Sequence, residues 1–143
     1  MKNESRRTLV AGATALLFAA LLVYWPALNG AFLWDDNLDL TDNLALRDLR
    51  GLARLWFAPA TLDYYPLKFT VQWLQWQLWG EHVLGYHLTN VLLHALGGLL
   101  LWRVFARLGL RFGWLGALVF VVHPLAVESV AWIAELKNVL SLP

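Results

Sequence analysis

The chain has 143 residues, of which 59% are hydrophobic and only 15% charged, and it contains nine tryptophans and no cysteine. A soluble domain of this length usually carries about a quarter charged residues, so the composition indicates a membrane protein. The net charge of +1 excludes a general basic surface for nucleic acid. The absence of cysteine excludes disulfide frameworks and thiolate metal sites.

The first predicted element is a membrane span over residues 8–28, TLVAGATALLFAALLVYWPAL, which has no charged residue. A helix of this length crosses a hydrocarbon core of roughly 30 Å. Lys2, Arg6 and Arg7 precede the span, so the positive-inside rule predicts a cytoplasmic N-terminus and an outer loop from residue 29. A cleaved signal peptide is the alternative, but it would have a shorter apolar region and a small-x-small site.

A second span is predicted over residues 86–105. It ends in Arg103, Arg107 and Arg111 with no acidic residue among them, which places this end in the cytoplasm.

A third apolar run, over residues 112–127, breaks at His123-Pro124, because proline lacks a backbone donor and disfavours helix at the residue before it. By alternation this break lies near the outer surface. The sequence thus predicts an all-α, polytopic membrane protein fragment with about three transmembrane helices. We expect it in a bacterial inner membrane, or in the endoplasmic reticulum of a eukaryote, with the lipid bilayer as its first partner.

The predicted outer loop, residues 29–85, contains five tryptophans and two stretches that favour amphipathic helices in the membrane interface. In the first, apolar residues recur at helical spacing with arginines on the other side: Leu46, Leu49, Ala53, Trp56 and Phe57. The second begins at Pro66. Its apolar stripe is Leu67, Val71, Leu74 and Leu78, and Lys68, Gln72, Gln75 and Gln77 occupy the remainder. Its tryptophans are typical of interfacial anchoring, with sugar stacking as the alternative.

Three polar residues lie on one face of the second predicted span, because His87, Asn90 and His94 are spaced at i, i+3 and i+7. Polar groups at this depth are costly unless they meet each other, a ligand or a water-filled cavity, which favours an inward-facing binding site. Interhelical hydrogen bonding, with Asn90 and His94 joining neighbouring spans, is the alternative.

The stretch FLWDDNLDL places Asp35 and Asp36 directly beside the membrane on its outer side. A carboxylate in this position can take the proton of an acceptor hydroxyl, and a neighbouring carboxylate can orient it or raise its pKa. The alternative is a helix N-cap followed by a solvated turn.

His123, Glu128 and Lys137 cluster around the outer end of the third span. A divalent metal is disfavoured, because no tight ligand spacing such as HExxH is present.

These motifs together resemble one known family. The blocks FLWDDN, YYPL, LWG, GYHLTNVLLHAL and HPLAVESVAWIAELKNVL are similar to the membrane half of the transmembrane and tetratricopeptide-repeat proteins, relatives of the protein O-mannosyltransferases in the GT-C class of glycosyltransferases. The similarity runs through nearly the whole chain beyond residue 29. The family usually has ERK after AWI, whereas Leu136 replaces the arginine here.

The resemblance implies an enzyme that transfers a mannose-like sugar from a polyprenyl-phosphate carrier to a protein or other acceptor on the outer or lumenal side. It assigns the role of catalytic base to Asp35 or Asp36 and places His123 and Glu128 at the mouth of the cavity, with Lys137 as the cation nearest to the phosphate. We also expect His87, Asn90 and His94 to contribute to substrate binding.

The later spans and the tetratricopeptide repeats of such proteins are not among these 143 residues, so we expect this fragment alone to be inactive. A non-catalytic membrane anchor or scaffold is the alternative function, and a transporter fragment is a third.

Overall fold

The structure is a computed structural model that describes residues 2–57 and 64–141, with side chains from residue 6 onward. The described residues form helices and turns and contain no β-strand. The α-helices are α1 Lys2–Val23, α2 Trp25–Leu28, α3 Leu49–Phe57, α4 Pro66–Trp79, α5 Val83–Arg107, α6 Gly113–Val122, α7 Val127–Ala131 and α8 Leu136–Leu140. One π-helical turn, Asn37–Thr41, and three 3₁₀ turns, Leu44–Leu46, Pro124–Ala126 and Ile133–Glu135, lie between them.

Two helices of the described chain are long and apolar enough to cross a membrane, namely α1 from Arg6 onward and α5. A third span is obtained if α6 and residues 124–131, which meet at an angle of 49°, are counted as one broken helix. The break falls at His123-Pro124, as the proline predicts. The expectation of an all-α membrane protein with about three spans is therefore confirmed.

The helix ends differ from the predicted ones by a few residues. The first helix ends at Val23 rather than residue 28, and a separate short helix, α2, follows from Trp25. Pro26 explains the interruption, because proline has no N–H to donate to the carbonyl four residues earlier. The second span begins three residues earlier than predicted and ends two residues later.

The three spans pack against one another, and their contact surface combines leucines and aromatic residues with small and β-branched residues such as Ala20, Ala117 and Val121. Gly98 on α5 faces Val121 on α6 so closely that a Cβ at residue 98 would overlap the valine methyl group. The indole N–H of Trp114 donates to the carbonyl of Gly12 at 3.1 Å and so joins α6 to α1. Small residues at such contacts let helix backbones approach closely, which is the main source of attraction between helices in lipid.

A second core lies in the region that we call the loop layer, residues 29–57, 64–82 and 132–141. Its fully or almost fully buried side chains are Leu40, Leu46, Leu55, Phe69 and Ile133, joined by Tyr86 from α5, and Trp73, Trp76 and Trp79 pack against them. Trp73 donates its indole N–H to the carbonyl of Asp48 at 3.1 Å. The tryptophans of α4 are half-buried and pack against this core, and interfacial anchoring and sugar stacking both stay predictions for them.

Helix α4 turns its polar side inward. Lys68, Gln72 and Gln75 are buried, and Lys68 forms an ion pair with Asp39. The leucines of the predicted apolar stripe point outward, since Leu67 is 68% exposed and Leu78 is 71% exposed. A membrane environment explains the outward leucines, because lipid accepts an apolar surface. Of the buried polar side chains, Lys68 is paired with Asp39, whereas the amide groups of Gln72 and Gln75 have no hydrogen-bond partner among the described residues.

Helix α3 also departs from the predicted pattern. It buries Gly51 and Leu55, whereas Leu49 and Phe57 of the predicted stripe are exposed. Residues 58–63, which belong to the predicted outer loop, lie outside the described residues.

Replacing Gly98 with valine tests the close contact of α5 and α6. We expect Gly98→Val to destabilise the protein by about 1–3 kcal/mol, because the new side chain must displace Val121 in a packed interface. Thermal unfolding of the purified protein in one detergent measures the effect. Ala15→Val, at an exposed position of α1, is the control and should change the unfolding midpoint little. Equal midpoints for the two variants would contradict the tight contact.

Candidate functional site

The carboxylate of Asp36 is buried and joins two distant parts of the chain. Its side chain is 1% exposed. One oxygen accepts the backbone N–H of Leu33 at 2.9 Å, and the other accepts the backbone N–H of Ala134 at 2.6 Å. Because Ala134 follows the third span and Leu33 follows the first, this carboxylate fixes the loop against the end of the helix bundle.

The two backbone bonds and the burial act on the Asp36 carboxyl in opposite directions. Burial raises the pKa of Asp36 and is the larger effect, whereas the N–H groups of Leu33 and Ala134 lower it. The negative charges of Asp39 and Asp35 raise it further. The buried carboxyl therefore titrates above its ordinary value of 3.8.

Asp35 points the other way. It lies in the same turn as Asp36 but is exposed, and none of the hydrogen bonds or ion pairs found among the described side chains occupies its carboxylate. The two aspartates thus have different surroundings. The Asp36 carboxylate joins two backbone segments, whereas the Asp35 carboxylate is accessible to a substrate. Asp36 lies at the N-cap position of the π-helical turn, but its oxygens bond to Leu33 and Ala134 and do not cap that turn. The exposed position of Asp35 agrees with the solvated turn of the alternative interpretation.

The polar face of α5 lies against residues 131–134, the segment that is hydrogen-bonded to Asp36 through Ala134. Asn90 donates from Nδ2 to the carbonyl of Trp132 at 3.0 Å. His87 is 3% exposed, and the backbone at Ala131 is close to its ring. Gly30 approaches from the other side, where a Cβ would lie 3.0 Å from His87 Nε2. The structure therefore brings His87, Asn90 and the start of the loop together around residues 131–134.

His94 lies deeper in the bundle. Its Nε2 is 3.1 Å from the carbonyl oxygen of Val121, and its ring contacts Tyr24 edge-on and Phe120 at a centroid distance of 4.8 Å. The contacts of Asn90 and His94 are those of interhelical hydrogen bonding. A role of His87, Asn90 and His94 in substrate binding stays a prediction.

His123 and Glu128 lie at the bend between α6 and α7, and both are exposed. Nδ1 of His123 accepts the backbone N–H of Leu125 at 3.2 Å and so caps the turn that Pro124 begins. Glu128 lies in the first turn of α7. A place at the mouth of the cavity and a role in substrate binding stay predictions for both.

Lys137 belongs to a charged cluster beside α4. Its Nζ donates to Glu135 at 2.9 Å, and this hydrogen bond raises the pKa of Lys137. The same ammonium group lies 5.5 Å from the ring centre of Tyr65. A cavity of about 250 Å³ opens between α4 and α8, and both Lys68 and Lys137 line it together with Tyr64 and Tyr65.

Sequence reasoning did not identify Lys68 or Asp39 as part of this region. Their ion pair joins α4 to the π-helical turn and is almost completely buried. The one signal in the sequence is the spacing of Lys68, Gln72 and Gln75, which places three polar residues on one helical face. That signal was ambiguous, because a solvated helix face has the same pattern.

The arrangement is suited to proton transfer from a hydroxyl group at a membrane surface. An exposed carboxylate on a turn that is fixed by a buried carboxylate can act as a general base with a defined position. Within the parts of the chain that the structure describes, no group of three or more histidine, aspartate or glutamate side chains is arranged to hold a metal ion.

Comparison with known proteins identifies relatives along most of the chain. The protein O-mannosyl-transferase TMTC1 of Homo sapiens is 33% identical over 151 residues, which cover 92% of this chain and 17% of the human protein. The protein O-mannosyl-transferase Tmtc1 of Drosophila melanogaster is 35% identical over 135 residues, covering 85% and 15%. The protein O-mannosyl-transferase F38B6.6 of Caenorhabditis elegans is 22% identical over 145 residues, covering 91% and 21%.

The chain spans about a fifth or less of the length of these relatives. No family model and no solved structure matches it.

Fold and site together define a helical, multi-span membrane protein with an acidic turn where its loop layer meets the helix bundle. The relatives identify the family that the sequence motifs indicated, and the resemblance is confirmed. Over about 90% of its length the chain is similar to proteins of a TMTC-like family, and the curated relatives compared above are all named protein O-mannosyl-transferases.

The pH dependence of stability tests the environment of Asp36. Because burial raises its pKa, the folded state binds the Asp36 proton more tightly than the unfolded chain does. The contribution of Asp36 to the free energy of unfolding should therefore fall as the pH rises from about 4 through the raised pKa. We expect the unfolding midpoint of the wild type, relative to Asp36→Asn, to decrease over this range. Asp35→Asn is the control for the neighbouring charge, and a difference that increases with pH would contradict the burial.

Proposed function

We propose that this chain is the N-terminal membrane part of a GT-C-type glycosyltransferase. The enzyme transfers a mannose-like sugar from a polyprenyl-phosphate carrier to a hydroxyl group of a protein or other acceptor, at the membrane face where the loop layer lies. Asp35 is the general base. The names of the relatives support the transferase class, and the geometry of the acidic turn supports the choice of base.

The observation that carries the proposal is the difference between the two aspartates. Transfer from a sugar phosphate with inversion needs one carboxylate to accept the proton of the attacking hydroxyl, while the phosphate leaves without help from a protein acid. Both oxygens of Asp36 are occupied by backbone N–H groups, so this residue cannot approach a substrate. Asp35 remains accessible on a turn that Asp36 holds in place. Asp36 is therefore a positioning residue.

The cavity between α4 and α8 supports a place for the phosphate of the carrier. Lys68 and Lys137 line it, and each ammonium group is held by a neighbouring carboxylate, Asp39 or Glu135. An incoming phosphate competes with these carboxylates for charge-assisted hydrogen bonds. Lys137 is the more exposed of the two lysines and is the one we assign to the phosphate.

A non-catalytic membrane scaffold is the second candidate. The outward leucines of α4, Leu67, Leu74 and Leu78, favour it, because they offer an apolar surface to a partner. Under this alternative Asp35 has no chemical task, and its replacement should leave the function intact.

Replacing Asp35 with asparagine tests the transferase directly. In the full-length protein, we expect Asp35→Asn to reduce sugar transfer roughly a hundred- to ten-thousandfold, because the base is lost while the shape of the side chain is kept. The assay follows radiolabelled mannose from a polyprenyl-phosphate donor into acceptor proteins of the same membrane.

Two controls show whether a loss of transfer is specific to Asp35. Asp42→Asn, at another exposed aspartate of the same loop, should retain transfer, and unfolding midpoints should show that both variants fold. Retained transfer in Asp35→Asn would refute the base assignment, and a wild type without transfer would favour the scaffold.

Labelling of single cysteines tests the proposed orientation, in which the N-terminus is cytoplasmic. The chain has no cysteine, so one introduced residue gives an unambiguous signal. We expect a membrane-impermeant maleimide to label Leu44→Cys from outside intact bacterial cells or sealed lumen-out vesicles, and Leu108→Cys only after permeabilisation. Both positions are exposed, at 75% and 69%. Labelling of Leu108→Cys from outside, with Leu44→Cys labelled only after permeabilisation, would contradict the proposed orientation.

A further inference from the structure

Trp34 combines two unusual properties directly before the candidate base. Its indole is 77% exposed, and its backbone has φ = 43°, the only positive φ of a non-glycine residue among those the structure describes. Residues with a Cβ adopt this left-handed region rarely, and a bulky aromatic residue is especially uncommon there. Such strained positions persist where the surroundings determine them, and they cluster at functional sites.

Two hydrogen bonds, one of them to the Asp36 carboxylate, fix the backbone on either side of Trp34. The N–H of Leu33 donates to one Asp36 oxygen, and the N–H of Asn37 donates to the carbonyl of Trp34 at 3.2 Å. The turn is thus closed on both sides of Trp34.

The same carboxylate brings a second indole to Trp34. The other Asp36 oxygen accepts the backbone N–H of Ala134, and the side chain of Asn90 donates to the carbonyl of Trp132. In this position Trp132 meets Trp34 in a T-shaped contact, with ring centroids 5.6 Å apart and planes at 78°. Trp132 supports one side of the Trp34 ring, most of the Trp34 surface remains free, and the exposed Asp35 is the next residue in the chain.

We infer that Trp34 is the stacking platform for the sugar ring of the polyprenyl-phosphate donor. This inference rests on the proposed transferase function and adds a residue that determines sugar binding. A pyranose has one face of C–H groups, which packs on the negative face of an aromatic ring. Stacked on Trp34, the sugar lies next to Asp35, where the acceptor hydroxyl loses its proton.

Anchoring in lipid accounts poorly for these features. An interfacial anchor needs an exposed ring but no particular backbone conformation, as Trp25 shows: it is 64% exposed at the N-terminus of the short helix α2. Trp34 differs from Trp25 by its left-handed backbone, by its contact with a second indole and by its position next to an exposed carboxylate. These differences point to a ligand with an apolar face and hydroxyl groups.

Binding of donor lipids with and without the sugar tests the inference. In the full-length protein in nanodiscs, dissociation constants are measured for a short-chain polyprenyl-phosphate mannose and for the same polyprenyl phosphate lacking mannose. We expect the wild type to bind the mannosylated lipid more tightly. Trp34→Asn should reduce that preference roughly three- to tenfold, the range of an aromatic contact, and leave binding of the bare lipid phosphate unchanged. Asparagine is chosen because it tolerates the left-handed backbone.

Two further variants separate the sugar contact from anchoring and from folding. Trp34→Phe keeps an aromatic face and should retain most of the preference, and Trp25→Ala should retain all of it. An unchanged preference in Trp34→Asn, an equal loss in Trp25→Ala, or a wild type that does not distinguish the two lipids would each overturn the inference. The measurement needs neither acceptor nor turnover, so its failure is distinct from a failure of the proposed function, which the Asp35→Asn transfer assay decides.

Discussion

The carboxylate of Asp36 is the constraint on which the rest of the site depends. It accepts one backbone N–H from the loop after the first span and one from the segment after the third span, at 2.9 and 2.6 Å. Charge-assisted hydrogen bonds of this kind are strong, and loss of the bond to Ala134 would leave a buried N–H without its acceptor. Through this one side chain, the positions of Trp34, Asp35 and Trp132 are all linked to the helix bundle.

The positions of the spans could be predicted from the sequence, but the residue at which the first helix ends could not. Residues 8–28 and 86–105 are long enough and apolar enough that no competing fold exists for them, and the break at His123-Pro124 follows from proline chemistry. The interruption at Tyr24 was missed, because Pro26 lies within two residues of the predicted end, where a short helix and the end of a span have the same composition.

The faces of the loop helices could not be predicted, for a physical reason. In water, an apolar stripe identifies the buried side of a helix, but beside lipid the same stripe can face outward. Helix α4 illustrates the reversal, since Leu78 is exposed and Gln72 is buried. Likewise, the pair Asp35-Asp36 indicated a functional turn, but two adjacent residues point in different directions, and the choice between them needed the distant partner Ala134.

The sequence separation of the Asp36 bond has a consequence for biosynthesis. Asp36 and Ala134 are 98 positions apart, and Asn90 reaches the same late segment through Trp132. A ribosome has therefore delivered the first two spans to the translocon long before the acidic turn acquires its fixed shape. During this interval the nascent loop lacks the Ala134 partner of its carboxylate, because the bond to Ala134 can form only after the residues that follow the third span have been synthesised. The fixed shape of the acidic turn in this way depends on synthesis of the segment after the third span.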